Sequence, residues 1–332
     1  MKRATLRKLM ERSRLVTLRW RYLPKGLYCF NYHRIGYATS TEFDRGVFSC
    51  SPENLERHLI ILRERFEIVD LNRMQFYLKH PSAVKRPLAL LTFDDGYRDN
   101  WQIAFPILRR YETPAVFFIP TSFVGTEKIP WWDELAWLLR KCRKQVLRFP
   151  GTTVELRLSP DRLEDSIRLA LRLARQGVGS SMEELLFRVA ESSGVVRPVL
   201  SASDRLFMDW EEVRDLASAG MDIGSHTHSH EMLARLPSDV QTEELKRSKE
   251  ILEGQLKKYV TVLAYPFGGR NSYTKETQRL ARELGYKMAF NYVGGVNRLP
   301  ILNLFEIGRL AVDGDPDDSG LRWLATWAGL GR

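Results

Sequence analysis

A chain of 332 residues with 28% charged side chains can bury a substantial core, as one enlarged domain or two. No stretch approaches the ~20 apolar residues of a bilayer span, and no recognition motif accompanies the net charge of +10, so a membrane span and nucleic-acid binding are both poor readings. Cys29, Cys50 and Cys142 are odd in number and lack metal-site spacing, which excludes a disulfide framework and points to reduced packing residues in a reducing compartment.

The first 26 residues are a basic amphipathic segment. Lys2, Arg3, Arg7, Lys8, Arg12, Arg14, Arg19, Arg21 and Lys25 stand against Glu11 alone, and Leu6, Leu9, Met10, Val16 and Trp20 fall near one face of a helix over residues 3–21. Such a helix fits an anionic membrane surface or its own domain equally well. The first 25 residues contain no apolar h-region and no small-residue cleavage site, so the expected location is cytoplasmic, peripheral on the inner face of the membrane.

Leu27–Tyr32 reads as a strand, Pro52–Phe66 as a helix opened by Ser51, and Glu67–Leu71 as a second strand. The apolar run Leu88–Phe93, bounded by Pro87 and Gly96, then places Asp94 and Asp95 at its carboxyl end. Adjacent acids repel unless a divalent cation binds one and leaves the other to take a proton from water. The competing reading is a helix cap, since Asp99 and Asn100 open a helix running to Tyr111, followed by a strand over Ala115–Ile119.

Residues 131–206 break this rhythm with helical patterns at Asp133–Lys144, Ser159–Gln176 and Met182–Ser192, which predicts an insertion. Trp131 and Trp132 open it, suited to stacking on a sugar ring or to packing within the insertion. Helix then alternates with strand: Trp210–Ala219 into Met221–Ile223, Val240–Lys257 into Val260–Ala264, and Thr274–Leu284 into Tyr286–Tyr292, before a final strand-like Phe305–Val312. A tail over 313–332 ends in a helical pattern, Leu321–Leu330, with Trp323 and Trp327 four apart. Repeated βα units predict a parallel sheet or barrel with its active residues at the strand carboxyl ends.

Three of the six histidines lie in Gly224-Ser-His-Thr-His-Ser-His230, after the Met221–Ile223 run. His226 and His230 are four apart, so one helical turn or tight loop brings both imidazoles to a single ion, while His228 points elsewhere on a helix. With Asp95 they make a three-ligand site with an open position, and Asp94 is the base. Neutral imidazole suits zinc, cobalt, nickel or iron better than magnesium.

At these residues the chain resembles the polysaccharide deacetylases of carbohydrate esterase family 4, also called the NodB-homology domain. Thr92-Phe-Asp-Asp95 matches the first motif and His226 to His230 the second. Tyr32-His33-Arg34 is similar to a segment of bacterial exopolysaccharide members, and Ala264-Tyr-Pro-Phe-Gly268 to the third motif; the resemblance covers about residues 27–130 and 207–312. It implies a distorted (β/α) barrel of seven strands over residues 27–312, carrying the helical insertion. It also implies removal of N-acetyl groups from an amino-sugar glycan or a lipid-linked sugar, with zinc as first choice and cobalt or nickel as substitutes.

The same resemblance implies that Asp94 is the general base, that Asp95, His226 and His230 hold the metal, and that the backbone amide at Phe267 helps stabilise the oxyanion. Two positions depart from the pattern. Ala264 replaces the arginine that orients the base, for which Arg309 is the candidate substitute. No histidine follows His230, so the general acid falls to His33 or to water on the metal. These departures leave a second reading, a carbohydrate-binding protein that keeps the fold without turnover.

Overall fold

A computed structural model describes residues 14–177 and 181–327. The helix expected from residue 3 lies, over 1–13, outside the described residues, as does the end of the C-terminal helix beyond Trp327. In chain order the strands are β1 (Leu27–Tyr32), β2 (Arg34–Ile35), β3 (Phe48–Cys50), β4 (Glu67–Ile68), β5 (Leu88–Phe93), β6 (Val116–Ile119), β7 (Val146–Arg148), β8 (Glu155–Arg157), β9 (Asp222–Ser225), β10 (Val262–Ala264), β11 (Met288–Asn291) and β12 (Ile307–Ala311).

Among the described residues, seven of these strands close a parallel barrel in the order β1, β12, β11, β10, β9, β6, β5 and back to β1. This is the expected distorted (β/α) barrel. Its distortion lies at β5. β1 pairs with β5 along its whole length, so β4 and β6 share the other edge: β4 meets Leu88 and Ala89, while β6 meets only Thr92 and Phe93.

Burial on both faces requires nearly continuous apolar strands, and β1, β5 and β6 are buried at every residue. Alternation then sorts the side chains. Leu27, Cys29, Leu88, Leu90, Val116, Phe118, Val262, Met288, Phe290 and Ile307 pack as one interior cluster, closed by Leu71, Met74 and Tyr77. Tyr28, Phe30, Ala89, Leu91 and Phe117 belong to a second cluster under the surrounding helices. Gly224 is required by this packing, because a Cβ there would stand 2.5 Å from the Phe118 ring. With a period of two, Asn31, Thr92, Asp94, His226 and Arg309 continue the interior column upward. Polar groups thus collect where the apolar plug ends.

Several expected boundaries shift. The strand expected over Glu67–Leu71 stops at Ile68, because Asp70 accepts from the Arg73 amide at 2.6 Å and caps a helix, Leu71–Lys79, that periodicity did not reveal. The helix expected from Asn100 begins as a π turn, Asn100–Ala104, before Phe105–Arg110. The described N-terminal helix, Arg14–Arg21, buries Val16 and Trp20, and Trp20 meets Phe66 edge-on at 5.7 Å. Its apolar face is therefore turned to the barrel's outer core, and Arg19 lies over the Trp327 ring of the C-terminal helix Asp318–Trp327.

Residues 37–47 and 127–206 form a second compact unit. It holds the helices Trp131–Lys141, Leu163–Arg175 and Met182–Ser193, as well as an antiparallel β7–β8 hairpin that the sequence reading did not anticipate. Trp132 is buried within it, edge-on to Trp131. Among the described residues no helix is long and apolar enough to cross a membrane.

Candidate active site at the strand carboxyl ends

Asp94 and Asp95 follow β5 directly, and the Asp94 amide donates to Tyr32 O of neighbouring β1 at 2.9 Å. Asp95 and Gly96 then take φ of 71° and 68°, a left-handed turn that Asp tolerates better than most residues. Neither acid caps a helix. Asp99, the other candidate cap, makes no cap hydrogen bond and instead accepts from Arg34 Nε at 2.8 Å and the Ile35 amide at 2.9 Å.

The histidines come from a loop after β9, not a helix: Thr227 and His230 have φ of 64° and 62°. Glu244, on the helix Ser238–Leu256, holds this loop by accepting from the His228 and Ser229 amides at 3.0 and 2.8 Å and from Ser229 Oγ at 2.6 Å. His228 is turned aside, its Nδ1 2.8 Å from Thr121 Oγ1. His226 and His230 meet Asp95: their Nε2 atoms lie 3.4 and 3.2 Å from its Oδ1.

One ligand atom from each of Asp95, His226 and His230 lies within 4.8 Å of the others, and all three residues are buried. The donor set fits a divalent cation on two further observations. His226 Nδ1 lies 2.8 Å from the carbonyl of Ala264, which fixes the proton on Nδ1 and leaves the Nε2 lone pair facing Asp95. Asp95 Oδ1, although buried, has no hydrogen bond of good geometry among the described residues. Lone pairs converging on one point suit a metal ion, and two imidazoles with a carboxylate suit zinc.

Beside this group, Arg309 of β12 grips Asp94 with both arms, Nη1 to Oδ1 at 2.7 Å and Nη2 to Oδ2 at 2.8 Å, the two side chains being 1% and 3% exposed. Burial raises the Asp94 carboxyl, but the charges of Arg309 and His226 outweigh it and hold the group below its ordinary range. Burial likewise raises Asp95, and the two histidines hold it well below the usual carboxylate value. For His226, burial favours the neutral ring, yet Asp94 and Asp95 push its pKa up; for His230 burial prevails and its pKa falls. The site is thus built to keep both carboxylates ionised.

Phe267 and Gly268 have φ of 61° and 59° in the turn after β10, and the Phe267 ring lies 5.2 Å from that of His230. Gly268 has no room for a side chain, since a Cβ would fall 2.6 Å from Tyr292 Cβ. His33 is half-buried and edge-on to Tyr292 at 5.8 Å, and its backbone is pinned by Ser49 Oγ and Asn100 Nδ2. Its charge, when protonated, lowers both Asp94 and Asp95. Sequence reasoning missed Asn31 and Glu244, and it named Thr92 within the first motif and Asp99 as a helix cap without foreseeing their contacts with Asn31 and Arg34. Of the two missed residues, Asn31 carried a signal, as a polar residue within the otherwise apolar run of β1.

The sequence profile described as polysaccharide deacetylase matches residues 82–289, a span containing Asp94, Asp95, His226, His230 and Phe267 but not Asn31, His33 or Arg309. The putative polysaccharide deacetylase YxkH of Bacillus subtilis (strain 168) is 20% identical over 266 residues, 80% of this chain and 64% of YxkH. The chain therefore spans less than two thirds of that relative. Among solved structures, the Streptococcus pyogenes deacetylase PplD in complex with acetate is similar with a TM-score of 0.59 at 18% identity, over 91% of this chain and 99% of PplD. IcaB from Ammonifex degensii is similar with a TM-score of 0.59 at 18% identity, over 92% and 98%. At such identities the likeness is one of fold.

Proposed function

Since this chain belongs to the polysaccharide deacetylase family, we propose that it is a metal-dependent N-deacetylase acting on an N-acetylated amino sugar, in a glycan or a lipid-linked intermediate. The observation that carries the proposal is the meeting of the Asp95, His226 and His230 donor atoms beside a carboxylate, Asp94, locked by Arg309. A divalent cation, with zinc as first choice, supplies a Lewis acid there and favours ionisation of water.

The protein's own part is assigned as follows. Asp94 accepts the proton from the attacking water, and Arg309 keeps that carboxylate ionised and oriented. Water adds to the acetamide carbonyl, the oxyanion is met by the backbone amide at Phe267, and the C–N bond breaks to give acetate and the sugar amine. His33 delivers a proton to the departing nitrogen. In this scheme His33 stands in for the histidine missing after His230.

The lipid-linked substrate is the favoured alternative, in keeping with a cytoplasmic, membrane-peripheral location. That location rests on the charge of the N-terminal segment rather than on apolar insertion of Val16 and Trp20, which are buried in the core. The test is acetate release from chitooligosaccharides and from a lipid-linked N-acetyl sugar, by chelator-treated protein before and after addition of zinc, cobalt or nickel. Absence of metal-dependent release from every acceptor would favour the carbohydrate-binding reading.

A further inference from the structure

We infer that Asn31 is a positioning residue that locks the Arg309–Asp94 pair, so that residue 31 decides whether an arginine from β12 can serve the base. This rests on the reading of Asp94 as the base. β1 lies between the strands that carry the pair: Cys29 is in register with Arg309 of β12 on one side and with Leu90 of β5 on the other. A guanidinium starting on β12 therefore reaches Asp94, beyond the end of β5, by crossing the end of β1. Asn31 stands at that crossing.

Its side chain is fully buried and both ends of its amide are engaged. Oδ1 accepts from Arg309 Nη1 at 2.7 Å and from Thr92 Oγ1 at 2.6 Å, while Nδ2 donates to Asp94 Oδ2 at 3.2 Å. The partners fix which end is which, because a flipped amide would aim its hydrogens at a guanidinium and its oxygen at a carboxylate. Asn31 thus accepts from the cation and donates to the anion of one ion pair. Asn31 thereby adds a 2.7 Å anchor for Arg309 to those given by Asn291 O, which accepts from Nε at 3.2 Å, and by Thr92 Oγ1, which accepts from Nη1 at a longer 3.4 Å.

Substitutions at this position separate positioning from space-filling. Asp has the size of Asn and keeps the acceptor for Arg309, but turns the donor facing Asp94 into a repelling oxygen. Ser is too short to reach both partners. With Ala264 in place of an arginine, Arg309 is the one arginine paired with Asp94 among the described residues, so a loosened Arg309 leaves the carboxylate free to rotate. Small displacements of a reacting group cost rate far more than binding.

The experiment uses the full-length, zinc-loaded chain with Asn31→Ser, Asn31→Asp, Arg309→Met and the double variant Asn31→Ser/Arg309→Met, assayed on an N-acetyl chitooligosaccharide. The expected result is a loss of kcat of about tenfold to a hundredfold in Asn31→Ser, and more in Asn31→Asp, with KM and zinc content unchanged. The double variant should be no slower than Arg309→Met. Crystal structures of wild type and Asn31→Ser supply a readout independent of turnover: the two-armed Asp94–Arg309 contact should be broken or rotated in the variant. Wild-type kcat in both Asn31 variants, losses that multiply in the double variant, or an intact two-armed contact in Asn31→Ser would overturn the inference, as would a loss accompanied by lost zinc and a lowered Tm. If wild type releases no acetate from any acceptor, the deacetylase reading fails and the crystal structures alone decide the inference.

Discussion

Replacing Arg309 by Met tests the electrostatic logic of the site most directly. The substitution keeps an unbranched side chain on β12 but removes two charge-assisted bonds of 2.7 and 2.8 Å from a carboxylate that is 3% exposed. Leaving one partner of a buried pair uncompensated costs about 3–5 kcal/mol, so the variant should be less stable by an amount of that order near neutral pH. It relieves itself by taking up a proton. In wild type the depressed Asp94 contributes stability above the ordinary carboxylate range, and that contribution is lost as pH falls through its folded pKa. Without Arg309 the burial that raises Asp94 is opposed by less, so the acid limb of kcat/KM should move to higher pH and turnover should recover partly as pH rises. Activity against pH, with denaturant melts at two pH values and metal analysis, reads all three effects. An unmoved acid limb with unchanged stability would refute the claim that Arg309 keeps Asp94 ionised.

His226→Ala and His230→Ala should each lose most bound zinc and the activity with it, whereas His228→Ala, whose ring faces Thr121, should be milder; full zinc content in both of the first two would end the ligand assignment. Asp94→Asn should fold and bind zinc yet lose deacetylation by about 10²-fold or more, because an amide cannot accept the proton, and near-normal turnover would require another base. Asp222, at the start of β9, is pushed up to about 6, chiefly by burial, and so destabilises the fold as pH rises from its ordinary 3.8 through that value. Asp222→Asn, which keeps an acceptor for the Leu71 amide at 2.8 Å, should therefore gain up to about 3 kcal/mol at pH 7 in urea melts, a gain that disappears below about pH 4; an equal gain at both pH values would exclude titration as its cause. Binding to anionic vesicles should weaken with salt and on deletion of residues 1–13, and indifference to such vesicles at low salt would remove the membrane proposal.

The sequence by itself determined the strands that line the barrel and the two motifs at their ends. Apolar runs such as Leu27–Tyr32 and Leu88–Phe93 are locally self-declaring, because burial on both faces confines polar positions to their carboxyl ends, at Asn31 and Thr92, before the chain emerges at Asp94. The spacing of His226 and His230 was also legible, although the loop geometry was not: it depends on two residues with positive φ and on Glu244, in the second turn of the next long helix. The helix Leu71–Lys79 went unseen because its short apolar pattern follows a strand without a break, and only the Asp70 cap marks the change.

What tertiary structure alone decided is the partnership across strands. Arg309 and Asp94 lie 215 residues apart, and nothing in local periodicity indicates that their strands flank β1. Closure of the barrel makes that arrangement, turning Asn31 from one polar residue in an apolar strand into the link between a cation and an anion. Likewise Asp99 resembles a helix cap in sequence but in the fold binds Arg34, 65 residues away. Sequence records which side chains are available at each strand end; strand order and register determine which of them meet, because hydrogen bonds and ion pairs act over a few ångströms while the chain brings their partners from anywhere along its length.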